Sequence, residues 1–290
     1  MIKWPVALID DIAKRKVVLF LGAGVSCNSR NAQGKRPKTW KQLLITLNSK
    51  IKSKTVKKRV KKIIDKEDYL TACEIIKDNT EQSEYESVLN SEFSAPRFKP
   101  ASIHEHIFNL DSRIVITPNF DCIYDTYASS VTNGDVKVKT YKDSDILDCI
   151  RTDAYLIIKM HGTIHTPSEL IFTHKEYSEA RIKYAFFYSI IASLAMTRTF
   201  LFIGCGLSDP DVRLLFEDQY FKYRCSHKHY FLVPKDVEQK EIRNVFMDTM
   251  NLKMIEYDSK NDHAELNNSL KLLVDDVGDK RSELANKQLW

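Results

Sequence analysis

The chain has 290 residues, 43% of them hydrophobic and 29% charged, a globular composition that suits one large domain or a core domain with an insertion. No apolar run approaches the roughly 18–20 residues that cross a bilayer, and Asp10 and Asp11 interrupt the N-terminal candidate for a signal peptide, so a cytoplasmic location without membrane contact is expected. Six scattered cysteines lack Cys-x-x-Cys spacing, which argues against structural zinc or a redox dithiol; no metal is expected.

In chain order, residues 5–16 read as an opening helix with Pro5 in its first turn and Val6, Ile9 and Ile12 at helical spacing. Residues 17–21 are five apolar residues in a row, a strand buried on both faces. The run stops at Gly22-Ala23-Gly24-Val25-Ser26, a turn whose glycines allow close approach to a ligand and whose N–H groups can face a phosphate. The dinucleotide fingerprint is incomplete. Cys27 stands where its third glycine would fall, and residues 41–50 contain no acid to hold a ribose. A plain strand–turn and a nucleotide site both remain open at this point.

Residues 28–37 are polar and read as a loop over the ligand. Thr39 can cap a helix carrying Trp40, Leu43, Leu44, Leu47 and Ile51 on one face, and residues 55–93 read as further helices. Residues of about 38–110 are therefore expected to form a helical insertion beside the sheet. The net charge of +5 is concentrated here. Residues 50–66 hold nine Lys or Arg and one acid, leaving 35 bases against 38 acids elsewhere. Val56, Val60, Ile63 and Ile64 recur at helical spacing among the lysines, which describes a solvated helix face. The same block could attract nucleic acid or an acidic partner.

Further strands are expected at 113–117, 136–141, 155–160, 199–203, 229–233 and 253–257, with a short one at 170–173. Helices are expected at 175–196, after Asp209-Pro210, at 236–247 and at 262–274, followed by a frayed polar tail from Gly278 to Trp290; a docking peptide is the alternative for that tail. Strands alternating with helices imply an α/β, Rossmann-like fold: a mainly parallel sheet with helices on both faces, plus the insertion. The 290 residues are read as a single domain, with 262–290 as C-terminal helix and tail.

Four strand ends carry polar or glycine-rich residues: Gly22 to Ser26, Asn119 and Asp121, His161-Gly162, and Gly204-Cys205-Gly206-Leu207-Ser208-Asp209. In a parallel sheet such ends meet at one edge, where ligands bind. Each residue also has a plain reading. Asp121 could cap a helix, Asn119 could satisfy a turn, and His161 could be a hydrogen-bonded loop histidine.

Gly-Ala-Gly-x-Ser, then Thr-x-Asn-x-Asp, then a strand ending in His-Gly, then Gly-x-Gly-x-x-Asp-Pro resembles the sirtuin superfamily, more narrowly the sirtuin-like NAD-consuming domains of bacterial anti-phage defence systems. The motifs span about 17–233. Protein deacetylases are a poorer match, because their paired Cys-x-x-Cys zinc module is absent and residues 27–36 replace their Gly-Ile-Pro-Asp-Phe-Arg segment. The resemblance implies that Gly22, Ala23, Gly24 and Ser26 hold the pyrophosphate and neighbouring ribose. By the same resemblance Asn119 and Asp121 hold the nicotinamide-side ribose and amide, and Gly204, Gly206 and Ser208 line the adenosine side. His161 would be the general base, with Asn119 also catalytic; an imidazole titrates near neutral pH.

The implied reaction is cleavage of NAD+, as substrate, to nicotinamide and ADP-ribose, with residues 28–37 as the lid. The resemblance also implies depletion of NAD+ during phage infection, gating by homo-oligomerisation, and a separate HerA-type DNA-translocating ATPase as partner. Deacylation or ADP-ribosyl transfer, a non-catalytic NAD or ADP-ribose sensor, and a DNA-binding subunit are the alternatives. Arg30, Lys35 and Arg36 could reach a 2′-phosphate, so NAD+ and NADP+ are both open.

Overall fold

The computed structural model describes all residues except 153, 207–209, 224–226, 236–239 and 288–290, and leaves the side chains of 211, 219, 222, 223, 240 and 242 undescribed. In order, helix α1 (Val6–Ala13) leads into β1 (Val17–Leu21) and the short α2 (Ala23–Ser26). The insertion follows as α3 (Trp40–Asn48), α4 (Lys54–Asp65), α5 (Tyr69–Asp78) and α6 (Gln82–Leu89), extended by a π turn at Asn90–Ser94. Next come α7 (Ser102–Asn109), β2 (Ile114–Thr117), α8 (Ile123–Val131), β3 (Lys137–Thr140), α9 (Ile146–Arg151) and β4 (Leu156–Lys159). The chain then forms α10 (His174–Lys183), α11 (Ala185–Thr197), β5 (Thr199–Ile203) and α12 (Pro210–Tyr223). It closes with β6 (His229–Pro234), α13 (Lys240–Thr249), β7 (Leu252–Tyr257) and α14 (Lys260–Asn286). Among the described residues no helix is long and apolar enough to cross a membrane.

The seven strands form one sheet in the order β3-β4-β2-β1-β5-β6-β7, and every pair is parallel. The expected Rossmann-like α/β architecture is present. β1 is central because its five residues are all buried. Val17, Leu19 and Leu21 enter a core with α1, α7, α8 and α14, while Val18 and Phe20 enter the opposite core with α10, α11 and α12. The chain leaves β1 toward β2 on one side and later returns to β5 on the other. The crevice at the carboxyl end of β1 is the topological switch point where α/β sheets bind ligands.

The insertion has its own core of Leu43, Leu44, Leu47, Val60, Ile64, Ile76, Tyr85 and Leu89, completed by Ile164, Leu170 and Phe172 from the segment after β4. This explains one difference from the expected elements. Residues 170–173 are extended but not a strand. Leu170 and Phe172 enter the insertion core while Ile171 enters the sheet core, so burial on two sides imposes the period of two without a ladder.

The helix expected at 175–196 is two helices. The backbone leaves the helical region at Tyr184 (φ −114°, ψ 37°), whose ring packs edge-on against Tyr141 at 4.9 Å. The frayed tail is also corrected. α14 continues to Asn286, with Val277 and Leu284 buried, although Asn261, Asp262 and His263 in its first turn are left-handed. Arg281 on this extension donates to the carbonyls of Ile12, Ala13, Leu110 and Asp111, satisfying the C-terminal ends of α1 and α7. Trp290 lies outside the described residues.

Two buried histidines make the fold acid-sensitive. His104 Nδ1 accepts from the Ala101 N–H at 3.0 Å, and His229 Nδ1 accepts from the Phe200 N–H at 3.1 Å. Burial pushes both imidazoles down to about 4. The unfolded chain, with ordinary histidines, binds more protons between pH 6.5 and 4, so stability present above pH 6.5 is lost as the pH falls through that window. Each histidine should remove about 1.4 kcal/mol per pH unit there. Urea melts at pH 7.5 and 5 check this, and equal midpoints would refute it.

Candidate active site

The turn after β1 and the turn after β5 lock together through glycine. A Cβ on Gly22 would lie 2.4 Å from the Gly204 carbonyl oxygen, one on Gly24 2.8 Å from the same atom, and one on Gly204 2.6 Å from the Val25 nitrogen. Gly204 also has φ +65°. The Gly24 N–H donates to the Gly204 carbonyl at 2.8 Å and the Gly22 N–H to that of Ile203 at 2.9 Å. Two of the expected ligand-facing amides are thus used inside the protein, and neither Gly24 nor Gly204 lines the adjoining cavity, whereas Gly22, Ala23, Cys205 and Gly206 do. Gly204→Ala should therefore cost about 1–3 kcal/mol through backbone strain. Gly34→Ala is the control, because Gly34 has φ +75° but open space around it. A smaller shift of the melting midpoint for Gly204→Ala than for Gly34→Ala would overturn the interlock.

The cavity, of about 330 Å³, opens at the carboxyl ends of the central strands. Ser26, Asn119, Asp121 and His161 all line it. Asn119 Nδ2 donates to Ser26 Oγ at 3.2 Å, and Ser26 Oγ donates to Asp121 Oδ2 at 2.8 Å. Thr117 Oγ1 receives the Asn119 N–H at 3.0 Å and donates to the Leu21 carbonyl at 2.7 Å, which ties the turn after β2 to β1. Asp121 Oδ1 accepts from the Ile123 N–H at 3.1 Å, an Asx turn just before α8, whose N-cap is Cys122. Asp121 thus serves the turn that leads into α8, one residue before the cap position, and belongs to the site network as well.

Burial raises the Asp121 carboxyl above its ordinary range, an effect opposed chiefly by Lys159. Lys159 is fully buried at the end of β4. Its Nζ donates to the Asp121 carbonyl and, at 2.7 Å, to Asp125 Oδ2. Burial works against its charge, but Asp125, Cys122 and Asp121 outweigh that and raise its pKa. The strand sequence Leu-Ile-Ile-Lys carries no sign of this role, because a lysine ending a strand reads as a surface residue.

His161 is 5% exposed, and its Nδ1 lies 3.4 Å from the Tyr177 hydroxyl, with the rings edge to face at 5.0 Å. Tyr177 lines the cavity from α10. Sequence reasoning missed it, and the only local cue was the capping box of Thr173 and Glu176 that starts that helix. The insertion supplies a wall that was also missed: Trp40, Phe93, Asp68 and Tyr69 line the cavity beside Phe120 and Phe172. The aromatic rings form a chain, with Phe93–Phe120, Phe120–Phe172 and Trp40–Phe172 centroids 4.7, 5.1 and 5.0 Å apart. Burial raises the Cys27 thiol at the edge of this pocket, so it stands as a thiol near neutral pH.

Of residues 28–37 only Pro37 lines the cavity. Asn31 Oδ1 accepts from the Gln33 and Lys35 N–H groups, and Arg30 and Arg36 pair with Asp262 of α14. Ser208 lies outside the described residues. Among those described, no group of three or more His, Cys, Asp or Glu is arranged to hold a metal ion.

With this geometry in place, comparison with known proteins adds a partial match and two distant relatives. Residues 113–255 match the SIR2-like domain. The matched segment runs from β2 into β7 and contributes Asn119, Asp121, His161 and Gly206 to the cavity, while Gly22, Ala23 and Ser26 come from the β1 turn before it. The NAD(+) hydrolase ThsA of Acinetobacter baumannii (strain 532279) is 20% identical over 240 residues, 82% of this chain and 46% of that protein. The NAD(+) hydrolase ThsA of Bacillus cereus (strain MSX-D12) is 28% identical over 88 residues, 30% of this chain and 18% of that protein. The chain spans less than half the length of these relatives.

Proposed function

We propose that this protein hydrolyses NAD+ to nicotinamide and ADP-ribose. The observation that carries the reading is the linked Asn119–Ser26–Asp121 network in one cavity with His161, in a chain that matches a SIR2-like domain and proteins named as NAD(+) hydrolases. In this reading the bond between nicotinamide nitrogen and ribose C1′ breaks, its electron pair leaves with nicotinamide, and positive charge develops on the ribose. Asp121 and the Asn119 amide stabilise that charge in a water-poor pocket. Water adds to C1′ and gives its proton to His161, which releases it to solvent, so ADP-ribose and one proton accompany nicotinamide. The aromatic wall suits a planar ring, as offset and edge contacts favour.

The proposal extends to NAD+ depletion as an anti-phage response in the cytoplasm, restrained by self-assembly or by a HerA-type ATPase. It rests there on the motif resemblance alone. The test is nicotinamide release from NAD+ by purified protein, alone and with the product of its genomic neighbour, comparing wild type with His161→Ala and Asn119→Ala. Release that both substitutions abolish supports the hydrolase. Binding of NAD+ without release under either condition overturns it in favour of a sensor.

A further inference from the structure

The lysine block of the insertion forms one exposed helical face. On α4 the apolar side is used up: Val60 and Ile64 are buried in the insertion core, and Val56 and Ile63 pack against it. The opposite side presents Lys54, Lys58, Arg59, Lys61, Lys62 and, just beyond the helix, Lys66, all exposed. None of these six makes an ion pair among the described residues. The nearby acids Glu81 and Glu84 pair instead with Lys52 and Lys50, and Lys57 is turned aside to the Ser49 carbonyl. Asp65 is the one acid on the helix. These six cations, with Asp65 as the one acid on the same face, lie along about 18 Å of helix, a length over which a duplex presents about ten phosphates.

We propose that this face of α4 is a docking surface for duplex nucleic acid, held through its phosphates. A protein partner is disfavoured because the face shows no exposed aromatic or aliphatic anchor, and lysine is depleted from protein interfaces. A membrane surface is disfavoured because the apolar side of the helix is committed to the core. A single strand would call for stacking rings, and the face has none. Five of the six are lysines, which supply point charges rather than the bidentate fork that reads guanine, and only Arg59 carries that fork, so binding depends little on sequence. The C-terminal end of α4 runs into Glu67, Asp68, Tyr69 and Leu70, which line the cavity, so a docked duplex lies one turn of chain from the candidate active site.

The test is anisotropy of a fluorescent 20-base-pair duplex of arbitrary sequence titrated with the full chain from 50 to 200 mM salt. Affinity for wild type should fall roughly 10³-fold over that range, as about six phosphate contacts require. The variant Lys54→Gln/Lys58→Gln/Lys61→Gln/Lys62→Gln should lose most affinity at low salt and flatten the salt slope. A control with the same charge change elsewhere, Lys137→Gln/Lys175→Gln/Lys253→Gln/Lys260→Gln, should bind as wild type; these four lysines are exposed and lie off α4. Unchanged binding by the α4 variant, equal loss in both variants, or no measurable binding by wild type at 50 mM salt overturns the proposal. The readout involves no NAD+ chemistry, so it stands or falls separately from the hydrolase reading.

Discussion

Lys159→Met is expected to lower unfolding free energy by about 3–5 kcal/mol, the cost of removing one partner from a buried ion pair. That is a large share of the roughly 5–15 kcal/mol that holds a domain folded. The expectation follows from three buried groups. Lys159 has no exposed surface, the Asp125 side chain is 12% exposed, and the Asp121 carboxyl is already raised by burial. Without the ammonium, two carboxylates remain in a poorly solvated place, and the Asp121 carbonyl loses its donor. The folded-state pKa of Asp121 then rises further above its unfolded value. A group raised in this way favours folding at low pH and loses that advantage as the pH climbs, so the variant's deficit relative to wild type should shrink between pH 7 and 5. Lys159→Met/Asp125→Leu should recover part of the loss, because an apolar pair can replace a buried ion pair at little cost. Urea denaturation of wild type and variants at pH 7 and 5 reads all of this, and a loss under about 1 kcal/mol for the single variant at pH 7 would contradict the assignment.

His161→Ala should reduce nicotinamide release by roughly 10²–10⁴-fold, the usual contribution of a positioned general base. Asn119→Ala should cost roughly 10²–10³-fold, as expected when one preorganised dipole, here the amide oxygen facing a cationic transition state, is removed. The two losses should differ in form. Loss of a base lowers kcat, whereas Asn119 also orders Ser26 and through it Asp121, so its loss should raise KM as well. Tyr177→Phe removes only a hydroxyl at 3.4 Å from His161, and about 0.5–1.5 kcal/mol, or up to roughly tenfold, is expected. Steady-state kinetics with melting curves for each variant separate these outcomes. An active His161→Ala protein would remove the base from the mechanism.

Much of this was legible in the chain itself. β1, and β5 after its first residue Thr199, are apolar runs that stop at glycine, and a strand buried on both faces needs no partner information to be seen. Ser26, Asn119, Asp121 and His161 each follow such a run, and a parallel sheet brings those ends to one edge. The sequence by itself thus determined the fold class and which strand ends meet, because both depend on local patterns of burial and turn chemistry. Tertiary structure alone decided the rest. Gly24 and Gly204 face each other across two turns about 180 positions apart, so steric need rather than ligand contact accounts for them. Leu170 to Phe172 are extended by two cores instead of a ladder. Arg281 ties α14 to the body of the protein in a segment whose composition reads as a tail, by closing helix ends far away in the chain. Lys159 is buried because Asp125 and the Asp121 carbonyl wait for it, and no window of neighbouring residues contains that information. Periodicity reports which side of an element avoids water; it does not report what stands on the other side.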